Sequence, residues 1–118
     1  MASDKLNQEL NSLIELTRNG KIPWSMQANN PNFYKWDRTA AGKTYQVSIQ
    51  SQNPGHPTAA FFFFSIIKTM PQPQEVILQI NSQADPESKV VLNQLFTEAQ
   101  NGARNQMSNL LTELMKGL

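Results

Sequence analysis

The residues that could do chemistry in this chain are few and far apart. The single histidine, His56, sits in the stretch Asn53-Pro54-Gly55-His56-Pro57-Thr58. A loop is a fitting place for a general base, because loops on rigid scaffolds often carry function. Such a base needs a partner within hydrogen-bond reach. The chain offers no cysteine to activate and no serine in a recognisable nucleophile motif. His56 therefore reads first as a solvated turn residue. The carboxylates Glu9, Glu15, Asp37, Glu75, Asp85, Glu87, Glu98 and Glu113 are scattered. They follow neither a calcium loop nor a helical di-metal motif. Ala40-Ala41-Gly42-Lys43-Thr44 ends in Gly-Lys-Thr, but it lacks the upstream glycine of a phosphate loop and precedes a strand pattern rather than a helix. It reads as a hairpin turn. No catalytic residue, metal ligand or cofactor is expected.

Binding is better represented than catalysis. Tyr34, Lys35, Trp36, Arg38 and Tyr45 interleave rings with cations. On a strand, such rings can stack bases while the cations hold phosphates. A net charge of +1 weighs against that use, since phosphate contacts dominate affinity for nucleic acid. A single-stranded nucleic-acid binder is thus the alternative. The run Phe61-Phe62-Phe63-Phe64-Ser65-Ile66-Ile67 is more informative. Phe61, Phe63 and Ile67 point one way along a strand, and Phe62, Phe64 and Ile66 the other. The flanking strands look one-sided, so one of these sets emerges from a face that its neighbours leave polar. Either Trp24, Trp36 or the long helix of the same chain covers that set, or it forms an apolar patch that marks a docking surface. Phe62, Phe64 and Ile66, joined by Met107, Leu111 and Leu114 on the C-terminal helix, are the expected partner-binding residues.

These side chains must be positioned by elements that periodicity makes visible. Leu6, Leu10, Leu13, Ile14 and Thr17 lie on one face of a 3.6-residue period. That predicts a helix over 4–19, capped by Ser3 or Asp4 and stopped by Gly20. Lys21 to Met26 reads as a short edge strand carrying Trp24, because Pro23 disfavours helix. Phe33 to Arg38 and Thr44 to Gln50 form a hairpin, with Tyr45, Val47 and Ile49 on its buried face. Residues 51–58 punctuate the chain, and Ala59 to Ile67 is a central strand. Glu75 to Ile80 is another strand, with Val76, Leu78 and Ile80 inward. Asp85-Pro86 then starts a long helix. Val91, Leu95, Ala99, Ala103, Met107, Leu110, Leu114 and Leu118 make one stripe whose phase survives Asn101-Gly102. One helix of about 30 residues, roughly 45 Å long, is expected, with a kink at Gly102 or a split into two helices as alternatives. If it outruns its sheet, Met107 to Leu118 overhangs and needs a partner.

The whole is 118 residues, enough for one domain that buries about two thirds of its surface. The expected class is α+β: an N-terminal helix, an antiparallel meander of four or five strands, and a long C-terminal helix on one face. Asn and Gln make up about a fifth of the chain, while charged residues are only 16%. That near-neutral balance excludes a global field driving the protein onto nucleic acid or anionic lipid. No signal-peptide core or spanning segment is visible. The absence of cysteine fits a cytoplasmic protein.

Leu10 to Trp24, reading Leu-Asn-Ser-Leu-Ile-Glu-Leu-Thr-Arg-Asn-Gly-Lys-Ile-Pro-Trp, resembles a set of small stand-alone bacterial proteins. These pair a helix ending in Thr-x-x-Gly-Lys-Ile-x-Trp with a short meander and a closing Leu-rich helix. Tyr45-Gln46-Val47-Ser48-Ile49 and Leu110-Leu111-Thr112-Glu113-Leu114 fit the later segments. The resemblance implies a structural Trp24 and carries over no functional residue. The expectation is therefore a non-enzymatic protein–protein interaction or accessory module, self-associating as a homo-oligomer, with no membrane.

Overall fold

The computed structural model describes residues 4–27, 30–52 and 61–118. His56, Ser3 and the start of the strand expected at Ala59 lie outside them. The elements are helix α1 (Asp4–Arg18), strands β1 (Ser25–Gln27), β2 (Asn30–Ala40), β3 (Lys43–Gln52), β4 (Phe61–Met70) and β5 (Glu75–Asn81), and helix α2 (Lys89–Met115). The strands form one antiparallel meander in the order β1-β2-β3-β4-β5. Helix α2 lies across β4, β3, β2 and β1, and α1 packs against α2. This is the expected α+β architecture, with the helices on one face.

Helix α1 stops at a left-handed glycine. Gly20 has φ +73°, the Gly20 N–H donates to the Thr17 carbonyl at 3.1 Å, and the Lys21 N–H donates to that of Leu16 at 2.9 Å. That pair of bonds satisfies carbonyls the helix end would otherwise leave bare. The chain then folds back, so that Trp24 sits just before β1 rather than within the expected strand. Trp24 is wholly buried. Its Nε1–H donates to Thr17 Oγ1 at 3.0 Å, and its ring meets Trp36 edge-on with centroids 6.2 Å apart. Arg18 ties the same corner to α2 through Glu98 at 2.7 Å and binds Glu15 at 2.8 Å. The hydrogen bond that Arg18 donates to Glu98, with the fields of both carboxylates, raises the guanidinium pKa despite some desolvation.

The β2–β3 hairpin turns at Ala41-Gly42, both with positive φ, the geometry that matches strand twist in a two-residue loop. Strand register then builds the core. Tyr34, Ile49, Phe64 and Ile80 form one cross-strand row facing α2, and Trp36, Val47, Ile66 and Leu78 form the next. Leu92, Leu95, Ala99 and Ala103 close it from above. The stripe begins at Leu92, which is fully buried, rather than at half-buried Val91.

Two sequence expectations are overturned here. Phe62, Phe64 and Ile66 are not an exposed docking patch: they belong to the chain's own core or pack against it. Their register with Ser51, Ile49 and Val47 puts them on the face covered by α2. Phe64 is 2% exposed, and Phe62 lies against Phe96 with centroids 5.6 Å apart. The opposite set, Phe61, Phe63 and Ile67, points away from the helices. Val76 is not inward either. The ladder shifts between Ile66 and Ile67, which pair with Leu78 and Val76 respectively. The extra residue, Ile77, breaks the alternation and leaves both Val76 and Ile77 exposed.

Helix α2 has 27 residues and passes through Gly102 without interruption. A Cβ at Gly102 would lie 3.7 Å from Trp24 and 3.8 Å from Thr17, so α2 makes its close approach to α1 there. Beyond that point the helix leaves the body. Its length of about 40 Å exceeds the width of about 20 Å that five strands provide. The molecule is 52 Å long with a radius of gyration of 15.3 Å, against about 13.5 Å for a compact chain of this size.

Candidate functional site

The bare end of α2 follows from that mismatch. Every residue from 104 to 118 is exposed. Six of them are large and apolar: Met107, Leu110, Leu111, Leu114, Met115 and Leu118, with Leu110 at 59% and Leu114 at 67% exposure. Met107, Leu110 and Leu114 prolong the stripe formed by Leu95, Ala99 and Ala103, at helical spacing and with no break in phase. The last hydrogen bond from α2 to the body among the described residues runs from Gln106 Nε2 to the Ile22 carbonyl at 3.4 Å. Bonds further along stay inside the helix: Thr112 Oγ1 to the Ser108 carbonyl at 3.1 Å, and Lys116 Nζ to Glu113 Oε1 at 2.8 Å. No helix among the described residues is long and apolar enough to cross a membrane.

Two grooves open where α2 crosses β1. One, of about 420 Å³, is lined by Trp24, Ser25, Met26, Ala103, Gln106, Met107 and Leu110. The other, of about 190 Å³, lies between Met26, Pro31, Tyr34 and Ala103, Arg104, Met107. Met107 stands between them. The overhang and the β1 edge therefore form a notch with apolar walls.

A second surface is the sheet face away from the helices. Its cross-strand rows are Phe33, Gln50, Phe63 and Asn81, then Lys35, Ser48, Ser65 and Gln79. The rings are half-buried rather than bare. Ser48 and Ser65 are buried and share a hydrogen bond at 2.7 Å, which settles the only polar atoms that this row takes out of water. Gln52 Nε2 donates to Gln50 Oε1 at 2.6 Å. Amides and rings thus alternate over a face with little charge.

Of the five residues expected to bind nucleic acid, four share one face of the sheet and one does not. Strand alternation puts Tyr34, Trp36, Arg38 and Tyr45 on the helix side and Lys35 on the opposite side. Tyr34 is buried with its ring 5.6 Å from Phe96, and Trp36 is taken up by Trp24. A stacking platform needs exposed rings, and these two are spent on packing. The Trp36 Nε1 is buried with no acceptor among the described residues. Among those residues, too, no group of three His, Cys, Asp or Glu side chains could hold a metal ion.

Of the partner-binding residues expected from sequence, Met107, Leu111 and Leu114 fall on one exposed surface, whereas Phe62, Phe64 and Ile66 fall in the core. The structure adds Leu110, Met115 and Leu118 to that surface. Leu110 and Leu118 carried the signal already, being members of the stripe. Trp24 and Met26, which wall the notch, had no signal, because their nearness to Met107 depends on how α2 crosses β1. Comparison of the chain with protein-family models, with curated proteins and with solved structures finds no match.

Proposed function

We propose that this chain is a non-enzymatic protein–protein interaction module that associates with itself through the bare half of α2. The observation that carries this reading is the run 104–118, wholly exposed yet rich in leucine and methionine. Fully burying one such side chain contributes about 1.5–3 kcal/mol, equivalent to about 60–120 Å² of apolar surface. Six of them amount to several hundred Å², at the upper end of what monomers leave in one patch. With the polar atoms alongside, the segment approaches the roughly 800 Å² per partner of a stable interface. Charge selects no foreign partner. Arg104, Glu113 and Lys116 are the charged residues of the run, and the last two pair with each other at 2.8 Å.

Sedimentation velocity across the micromolar range tests the proposal. The wild-type chain is expected to dimerise with rising concentration, and the double substitution Leu110→Gln, Leu114→Gln to stay monomeric. A wild-type chain that remains monomeric throughout removes the reading.

A further inference from the structure

We infer that two copies of the chain pair their bare α2 halves antiparallel, about a two-fold axis passing between Leu110 and Leu111, with Leu118 of each copy seated in the notch beside β1 of the other. This rests on the self-association proposed above and adds its geometry. The centre of the exposed stripe is the same read from either end: Met107, Leu110, Leu111 and Leu114 are separated by steps of three, one and three, with buried Ala103 and terminal Leu118 four residues outside it on either side. A second copy turned end for end therefore sets Met107 opposite the partner's Leu114 and Leu110 opposite the partner's Leu111. Ala103 lies about 11 Å from the midpoint along the helix, and Met115, where α2 ends, about 7 Å from it on the other side. The three residues after Met115 span up to about 10 Å, so Leu118 is within reach of the level of the partner's Ala103, where the groove of about 420 Å³ between Trp24, Met26, Ala103 and Met107 opens. Gly117, with φ +85°, turns the chain off the helix axis just before that residue.

Charge and shape agree with this pairing. The two-fold axis sets Glu113 opposite the partner's Ser108 and Lys116 opposite the partner's Asn105, so no like charges meet. A parallel pair fails on shape. The stripe that is bare from Met107 onward is the one that faces the sheet before it. A parallel partner would bring its own body, 39 × 25 Å in its shorter dimensions, against this one at the same level, while packed helix axes need to be 8–10 Å apart. The antiparallel pair puts the bodies at opposite ends, and the same patch on both copies closes the assembly at two.

Because the chain contains no cysteine, single introduced thiols report the geometry cleanly. A disulfide forms only where Cα atoms come within about 7 Å. The Leu111→Cys chain, next to the axis, is expected to cross-link with itself under mild oxidation. The Leu118→Cys chain is not, since its two copies lie beyond helix ends that are themselves about 14 Å apart and point in opposite directions. Mixed with Met26→Cys, it is expected to give the mixed disulfide, with circular dichroism confirming that each variant is folded. Self-linking at Leu118→Cys, a dimer that does not link at Leu111→Cys, or no mixed product overturns the arrangement while leaving self-association standing. A monomeric wild-type chain ends both.

Discussion

The two halves of α2 share one periodicity and differ in what lies beneath them. From Lys89 to Ala103 the stripe is buried against the sheet and α1; from Arg104 onward the same stripe is bare. Side-chain size marks the change. Leu92 and Leu95 stand over the sheet, where Phe62, Phe64 and Ile49 leave room for large residues. Ala99, Gly102 and Ala103 follow where Thr17 and Trp24 press close, with a Cβ at Gly102 reaching to 3.7 Å from Trp24. Past that corner the residues grow again, to Met107, Leu110, Leu111 and Leu114, although the chain's own body offers them only the edge of the notch beside β1 and leaves all four exposed. Periodicity tells which face of a helix is apolar. Size tells how far away the next layer is, and a return to large residues beyond the body points to a layer the chain does not supply.

The sharpest way to break the comparison is to strike the corner where the halves meet. Trp24→Ala should cost about 3–5 kcal/mol of stability, as expected for a buried aromatic, measured by urea denaturation at a concentration where the chain is monomeric. The indole fills the space between α1, α2 and β2, and its loss also takes a donor from Thr17 Oγ1. A cost under about 1 kcal/mol, the scale of an ordinary surface change, would mean that the corner does not fix the size pattern.

Next is a test of size alone. Ala99 is fully buried, and Ala99→Leu should destabilise by about 1–3 kcal/mol through overpacking. Ser108→Leu, in the bare half, should leave the monomer within about 0.5 kcal/mol. Equal effects at the two sites would erase the distinction drawn here. A smaller shift of opposite sign sharpens it. At Gly102 an added methyl would sit at ordinary contact distance from Trp24 and Thr17, so Gly102→Ala should stabilise by about 0.5–1 kcal/mol, the helix-interior penalty of glycine. A rise in the thermal midpoint checks it, and a fall would show the corner tighter than the geometry states.

Much of this molecule was legible in its residues. The amphipathic stripes, the glycine stop at Gly20 and the alternation of Tyr45, Val47 and Ile49 gave the element order, because local periodicity is set by the backbone itself. The overhang was legible as arithmetic, since a helix of this length cannot fit over five strands. The parity of β4 was not legible. Phe62 and Phe63 are the same residue type, and which of them faces α2 depends on Ile49 pairing with Phe64 rather than with Phe63. That is a matter of register, which a one-residue slip would invert. The fate of Val76 was hidden for the same reason: a bulge at Ile77 costs the sequence nothing visible. The notch was hidden because it joins residues about 80 positions apart through a crossing angle that no local pattern encodes.

The last test is the smallest in stability and the most telling for function. Leu110→Gln and Leu114→Gln together remove two large apolar groups from an exposed helix face, where Leu110 does no more than edge the groove beside β1. Glutamine propagates a helix about as well as leucine. The monomer's unfolding free energy should therefore change by no more than about 0.5 kcal/mol, whereas the same exchange in the covered half, Leu95→Gln, should prevent folding by burying an unpaired amide. If the double variant loses stability in step with chain concentration, the cause lies in the lost partner, because binding to the native state alone makes stability concentration-dependent. If it loses stability at every concentration alike, the bare half of α2 is supported by its own chain after all, and the contrast between the two halves disappears.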